Sequence, residues 1–364
     1  MSKHIHAFWH IEGNSYQKLK KIWKFFGDFQ YAWEKASLAE LQRAGVGVDF
    51  GQAVVRLRGK LDLNKSMDKL WQQDIFLVDW KNPEFPEELK NISEPPFLLY
   101  RRGAELNSLI NRVAIVGMRK ATVQGEKLAF GLARSLANIG VTVVSGLAFG
   151  IDAAAHSGVV QAGGETIGVL ASGIARVTPS SHQNLAEKIL ASGGAIISEY
   201  PVTAEALKFQ FIERNRLIAG LCHTIIVVEA ARRSGALITA RHALEQGKEI
   251  MAFPGDPGRL QSQGCNDLIK KGEAALVDCV SDVMENLVER NLIAATKNST
   301  IRGLNLTKPE RQLWDLIKQN PLSTDEIEIQ AELNRELMLT SLSGLEINGL
   351  IGRNSSLKWQ TLAD

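Results

Sequence analysis

Val113-Ala-Ile-Val-Gly-Met-Arg119 and, one helix-length later, Val141-Thr-Val-Val-Ser-Gly-Leu-Ala-Phe-Gly150 decide the fold. Each is a β-branched apolar run that ends in glycine and opens into an amphipathic stretch. The pattern recurs at Thr166–Ala171, Ala195–Ser198, Thr224–Glu229 and Glu249–Phe253. Strands that are apolar without alternation are buried on both faces, and helices between them make the sheet parallel. Six such runs predict an α/β fold with an extended Rossmann-like, doubly wound, mostly parallel sheet. Two earlier runs, Ile75–Asp79 and Phe97–Tyr100, flank Asn82–Pro96 and are expected to extend that sheet.

Outward from this core the texture changes. Residues 1–72 show helical periodicity studded with Trp9, Trp23, Phe25, Phe26, Phe29, Tyr31 and Trp33, as in a small helical domain. Residues 73–290 form the α/β domain. Residues 291–306 are polar and unpatterned and read as a linker. Residues 307–364 predict helices near Pro309–Gln319, Ser323–Gln330 and Asn334–Gly349 and a hairpin over Gly352–Trp359, which together suggest a winged helix. Its candidate recognition helix offers only Arg335 near the start, so protein contact or regulation fits it better than groove reading.

The chain has 364 residues and a formal net charge of +2, from 42 basic and 40 acidic side chains. That balance excludes a blanket polycation and leaves room for a local basic pocket. Cys222, Cys265 and Cys279 show no C-x-x-C spacing, which argues against a disulfide framework or a four-cysteine zinc site and fits a reducing cytoplasm. The start lacks the pattern of a signal peptide, and no apolar run is long enough to span a bilayer, so a soluble protein without membrane insertion is expected.

Ligands of open parallel sheets bind at the carboxyl ends of the strands. Here those ends carry Gly117-Met-Arg119, Ser145-Gly-Leu-Ala-Phe-Gly150, Ala171-Ser-Gly173, Ser198-Glu-Tyr-Pro201, Glu229-Ala-Ala-Arg-Arg-Ser-Gly235 and Pro254-Gly-Asp-Pro-Gly258. Any one of these could merely close a tight turn. As a set on one rim, with helices starting behind them, they predict an anion-binding surface. G-x-G-x-x-G with an acidic residue ending the second strand is missing, as is the Walker pattern, so neither a dinucleotide cofactor nor an ATP motor is expected. The segment Lys208-Phe-Gln-Phe-Ile-Glu-Arg-Asn-Arg216 interleaves cations with aromatics, as single-stranded nucleic acid requires. Against that stands a core role for the phenylalanines, at least one of which is expected inside, and ion pairing of the arginines with Glu213 or Glu229.

These motifs together resemble the DNA-processing protein A family (DprA, also called Smf). The resemblance rests on Pro95-Pro-Phe-Leu-Leu-Tyr-Arg-Arg-Gly103, Val113–Arg119, Ser145-Gly-Leu-Ala-Phe-Gly-Ile-Asp-Ala-Ala-Ala-His156, Phe211-Ile-Glu-Arg-Asn-Arg-Leu-Ile-Ala-Gly220, Val228–Ala240 and Ala252-Phe-Pro-Gly255. It implies an N-terminal helical (SAM-like) domain, an extended Rossmann domain and often a C-terminal winged helix. It further implies binding of single-stranded DNA, homodimerisation through the Rossmann domain, protection of incoming DNA and loading of RecA on it during natural transformation, with single-strand-binding protein as a further partner. It implies no catalysis and no cofactor. By motif match the phosphate-gripping arginine falls on Arg119, the lysine on Lys208 and the stacking aromatic on Phe211. With the strand-end turns, the candidate DNA-binding set is Gly117, Arg119, Ser145, Gly146, Gly150, Lys208, Phe211, Arg214, Asn215, Arg216, Ser234 and Gly235. Met118 stands where the family usually has serine, which removes one hydroxyl from the phosphate site.

Three rival readings compete. A nucleotide phosphoribohydrolase would need a catalytic glutamate that the Pro254–Leu260 turn lacks. A hydrolase built on Ser145, Asp152 and His156 lacks a nucleophile elbow, and Asp152 reads more simply as a helix cap. A scaffold without DNA affinity is the third. His4, His6 and His10 could offer imidazoles to a metal, but so near the terminus they are expected to be solvated.

Overall fold

The computed structural model describes residues 1–289, 306–347, 350–354 and 358–361. The linker expected at 291–306 lies outside them, save for its last residue. Nine strands form one sheet: β1 Phe76–Asp79, β2 Leu98–Gly103, β3 Arg112–Val116, β4 Thr142–Ser145, β5 Thr166–Val169, β6 Ala195–Ser198, β7 Thr224–Val227, β8 Glu249–Ala252 and β9 Ala275–Leu276. Their order is β1-β2-β6-β5-β4-β3-β7-β8-β9. From β6 to β9 all neighbours are parallel, and only β2 runs the other way, antiparallel to both β1 and β6. The two early apolar runs thus extend the sheet as expected. The two-residue β9, exposed at the far edge, comes from the short apolar run Ala274-Ala-Leu-Val277 and was not expected.

Alternation along each strand splits the core. Ala114, Val116, Val144 and Val227 face the helices Lys208–Leu221 and Gly235–Glu245, while Val113, Ile115, Val143 and Ile226 face Val123–Asn138 and Ile151–Gln161. Chain order runs outward from β3 toward β6 on one side and from β7 toward β9 on the other. The crevice at the carboxyl ends of β3 and β7 is therefore the topological switch point.

The N-terminal helices do not form a separate core. Ile5, Phe8, Phe29 and Trp33 belong to one apolar cluster with Leu98, Tyr100 and Ile196 of the sheet. The change of texture at residue 72 is thus a change of secondary structure within continuous packing. Of the three N-terminal histidines His10 is exposed as expected, but His4 and His6 are buried: His4 Nε2 lies 2.9 Å from Glu34, and His6 Nδ1 lies 2.8 Å from the Tyr100 hydroxyl. They serve as polar cross-links between the first helix and what it packs on.

The C-terminal residues form helices Lys308–Gln319, Thr324–Gln330 and Arg335–Ile347 and an antiparallel hairpin, β10 Ile351–Arg353 with β11 Trp359–Thr361. Capping boxes at Thr307/Glu310 and Ser323/Glu326 set the first two helix starts. Leu313, Trp314, Ile327, Met338, Leu342 and Trp359 make a core of their own. Glu310 also reaches Arg134 of the Val123–Asn138 helix at 2.6 Å, tying this group to the sheet's helical layer.

Candidate nucleic-acid interface

The turn after β3 is shaped by close backbone approach. The Met118 N–H donates to Glu229 O (2.9 Å), and the Ile151 N–H donates to Met118 O (3.3 Å), so the turn is clamped between the β7 end and the start of the next helix. Gly150 makes this possible: its φ is +72°, and a Cβ there would collide with the Met118 carbonyl. Gly117 likewise leaves room only for Ile151. The clamp pushes Arg119 and Lys120 outward, where both are exposed.

They line a cleft of about 460 Å³ at the switch point, together with Phe211, Ile212 and Asn215 from the Lys208–Leu221 helix and Arg233, Ser234 and Gly235 after β7. The Arg119 guanidinium carbon lies 4.4 Å from the centroid of the half-buried Phe211 ring. Among the described residues no ion pair involves Arg119. Nearby carboxylates are already engaged: Glu229 takes the Thr122 N–H (2.9 Å) and hydroxyl (2.5 Å), and Asp152 takes the N–H groups of Gly146 (3.1 Å) and Ala148 (3.4 Å). Burial raises the Asp152 pKa while Arg214 opposes that rise. Ser234 caps the Gly235–Glu245 helix by accepting the Ala236 N–H (3.3 Å), so the positive end of that helix opens into the cleft. Cations, an aromatic face and a helix N-terminus thus converge on one surface. Lys208 is exposed at the first residue of the Lys208–Leu221 helix, one turn before Phe211 and on the same face.

Other expected members of the set are placed inside. Ser145 is fully buried and its hydroxyl donates to Ile115 O (2.6 Å), cross-linking β4 to β3. The Gly146 N–H points at Asp152 rather than at a ligand, and Gly146 is glycine because the Arg214 guanidinium occupies the space of a Cβ. Arg214, 3% exposed, donates to the carbonyls of Gly146 (2.7 Å) and Val169, and burial lowers its pKa to about 10. It forms part of the cleft wall with its donors turned inward. Arg216 leaves the cleft altogether: it pairs with Glu199 at 2.5 Å and lies over Tyr16, on the other side of the helix. Its carboxylate is neither of the two expected, Glu213 and Glu229. Asn215 accepts from Arg214 (3.2 Å) and donates to Gly235 O (3.3 Å), bracing the cleft. Neither Phe209, 53% exposed, nor Phe211 is a core residue, contrary to expectation. The Ser145–His156 pair of the hydrolase reading is not assembled, since His156 Nδ1 contacts Thr166 Oγ1 at 2.8 Å. Lys120 and Arg233 were not singled out by sequence, although each adjoins a residue that was.

Fold and cleft together define a Rossmann-like α/β protein with a cation–aromatic cleft at its switch point. A family model described as DNA recombination-mediator protein A matches residues 76–288. Protein Smf of Escherichia coli strain K12 is 39% identical over 248 residues, 68% of this chain and 66% of Smf. DNA processing protein DprA of Streptococcus pneumoniae is 40% identical over 200 residues, 55% of this chain and 70% of that protein. The X-ray structure of the S. pneumoniae DprA superposes with a TM-score of 0.66 at 31% identity, covering 78% of this chain and 98% of that one. The Helicobacter pylori DprA structure, solved for its single-stranded DNA binding mode, gives 0.54 at 27% identity, covering 59% and 96%. The chain belongs to the DNA recombination-mediator protein A family, that of the DprA and Smf proteins.

Proposed function

We propose that this chain binds single-stranded DNA in the switch-point cleft and acts on it as a mediator without a catalytic step. The observation that carries the reading is Arg119 set over Phe211 at 4.4 Å. It pairs a charge for phosphate with a flat face for a base, at a place the fold reserves for ligands. Lys120, Arg233 and Lys208 extend the positive track, and Gly117, Gly150, Ser234 and Gly235 shape it. Duplex DNA binds less well on this reading, because its bases are not free to stack. The single-stranded DNA binding of the H. pylori DprA supports the same ligand.

Family membership extends the proposal to the finer steps: protection of incoming DNA, loading of RecA during natural transformation, and contact with single-strand-binding protein. A homodimer through the Rossmann domain would present two clefts to one strand and raise avidity by linking them. We assign residues 1–72, 73–290 and 307–364 to the helical, DNA-binding and winged-helix domains, and the protein to the cytoplasm. Among the described residues no helix is long and apolar enough to cross a membrane, and the three cysteines are free.

Fluorescence anisotropy of a labelled oligonucleotide, single-stranded against duplex of equal length, without nucleotide or magnesium and at two salt concentrations, tests the first step. Tight, salt-sensitive, single-strand-preferring binding is expected, and binding of neither form would overturn the reading. Stimulation of RecA filament growth on the bound strand then tests the second.

A further inference from the structure

The turn after β4, residues 146–150, lends Ala148 to the cleft wall and then runs on along the rim of the sheet. Two residues in left-handed conformation bend it. Gly150 has φ +72°, and Leu147, which is fully buried, has φ +54°. Leucine rarely adopts that conformation, and backbone outliers of this kind gather at ligand-binding segments. The bend sends Leu147 inward, to the apolar cluster it shares with Leu170 and Ile174. It leaves Phe149 outside, 50% exposed.

The exposed ring is nonetheless held in place. His182 lies against it, with ring centroids 4.9 Å apart and ring planes at 70°. The imidazole is itself fixed, its Nδ1 lying 2.9 Å from Leu147 O. An edge-to-face pair covers at most one face of the phenyl ring, so the other face is open. Single exposed apolar side chains are common on protein surfaces. Position sets this one apart. A Cβ on Gly150, the next residue, would meet the carbonyls of both Met118 and Arg119, so Phe149 adjoins the turn that carries Arg119. Strand β4 lies between β3 and β5, and ligands of such a sheet lie across these carboxyl ends.

We propose that Phe149 is a second base-stacking platform, one strand along the rim from Arg119 and Phe211, and that the DNA strand held in the cleft leaves it across this ring. The proposal rests on the cleft reading. An open phenyl face offers no hydrogen bond and no charge, so it selects flat surface without reading sequence. A single strand anchored by its phosphate at Arg119 presents such surfaces, its unpaired bases, at each step along the rim.

Anisotropy of the full chain with a labelled single strand of about 16 nucleotides, long enough to run past the cleft, tests it. Phe149→Ala is expected to weaken binding about tenfold with the salt slope unchanged, because stacking releases few counterions. The ring is exposed, so the melting temperature should hold. Phe149→Leu should lose as much affinity, since it stays apolar but has no flat face, and Phe149→Tyr should restore it. Full restoration by leucine would show plain apolar contact in place of stacking and overturn the proposal. Wild-type affinity in Phe149→Ala, while Arg119→Ala weakens the same strand, would also overturn it: the cleft then binds DNA and the strand takes another path. A changed oligomeric state with strand affinity intact would make the ring a contact between copies instead. If Arg119→Ala also binds as the wild type does, the cleft reading falls and this proposal with it.

Discussion

The Arg119 guanidinium rests against the face of the Phe211 ring, 4.4 Å from its centroid, although the two residues belong to a strand-end turn and a helix far apart in the chain. The contact holds the arginine extended over the cleft rather than folded onto a carboxylate. It persists because the surrounding acids are occupied, Glu229 by Thr122 and Asp152 by the Gly146 and Ala148 N–H groups. A cation kept unpaired at a ligand-binding crevice is oriented for an anion from outside.

Removing that cation should act through charge. Arg119→Ala is expected to weaken single-strand binding and to flatten the slope of log affinity against log salt by about 0.7 for each phosphate no longer neutralised. The side chain is exposed, so the melting temperature should hold. Anisotropy titrations at four salt concentrations measure both quantities, and an unchanged slope with unchanged affinity would remove Arg119 from the interface.

Removing the ring should act without charge. Phe211→Leu keeps an apolar side chain against the helix and deletes the stacking face, at an expected cost of about 1–3 kcal/mol in strand affinity with little change in salt slope. Phe209→Leu, on the opposite side of the same helix, should leave strand binding alone. Equal losses for both variants would show that the cleft does not discriminate between the two faces.

The strands were legible because burial on both faces writes them as unbroken apolar runs, and the glycines were legible as turns. Which backbone N–H groups remained for a ligand was not legible, because Asp152 claims those of Gly146 and Ala148 only once the chain is folded. The Lys208–Arg216 segment shows a different limit. Read linearly, it is one basic aromatic patch. Read at about 100° per residue, Lys208, Phe211, Arg214 and Asn215 share a face, while Phe209, Glu213 and Arg216 share the other. The helical phase therefore held the signal that Arg216 faces away from the cleft. No local pattern could show that Arg214, though on the correct face, turns its donors inward to the Gly146 and Val169 carbonyls.

That inward turn predicts how Arg214 fails. Arg214→Lys keeps the charge but cannot reproduce the planar fork that reaches two carbonyls, and it leaves buried acceptors unsatisfied. The expected loss is about 1–3 kcal/mol of unfolding free energy for each buried acceptor left unpaired, read from denaturant titration, while the folded protein keeps the wild-type salt slope for single strands. A flattened slope at unchanged stability would return Arg214 to the set of phosphate-binding residues.

His156 sets an acid limit on the fold. It is fully buried, with Nδ1 against Thr166 Oγ1 at 2.8 Å, and burial pushes its pKa from 6.5 down to about 3. In the unfolded chain the imidazole gains a proton as pH falls through 6.5, and in the folded chain it stays neutral until about 3. The unfolded state therefore binds more protons in that window, and the contribution of His156 to stability, complete above the unfolded value, declines as pH falls. The decline amounts to about 2 kcal/mol between about pH 6.5 and about 5. Buried Asp152 and Glu199, whose pKa values are raised, act in the opposite sense, so the measurement must be a difference. His156→Gln retains a donor for Thr166 and does not titrate. Urea unfolding of both proteins at pH 7.5, 6.5, 5.5 and 5 should show the wild type losing stability faster than the variant below pH 6.5. Parallel curves would mean that His156 is protonated in the folded state as readily as in the unfolded one.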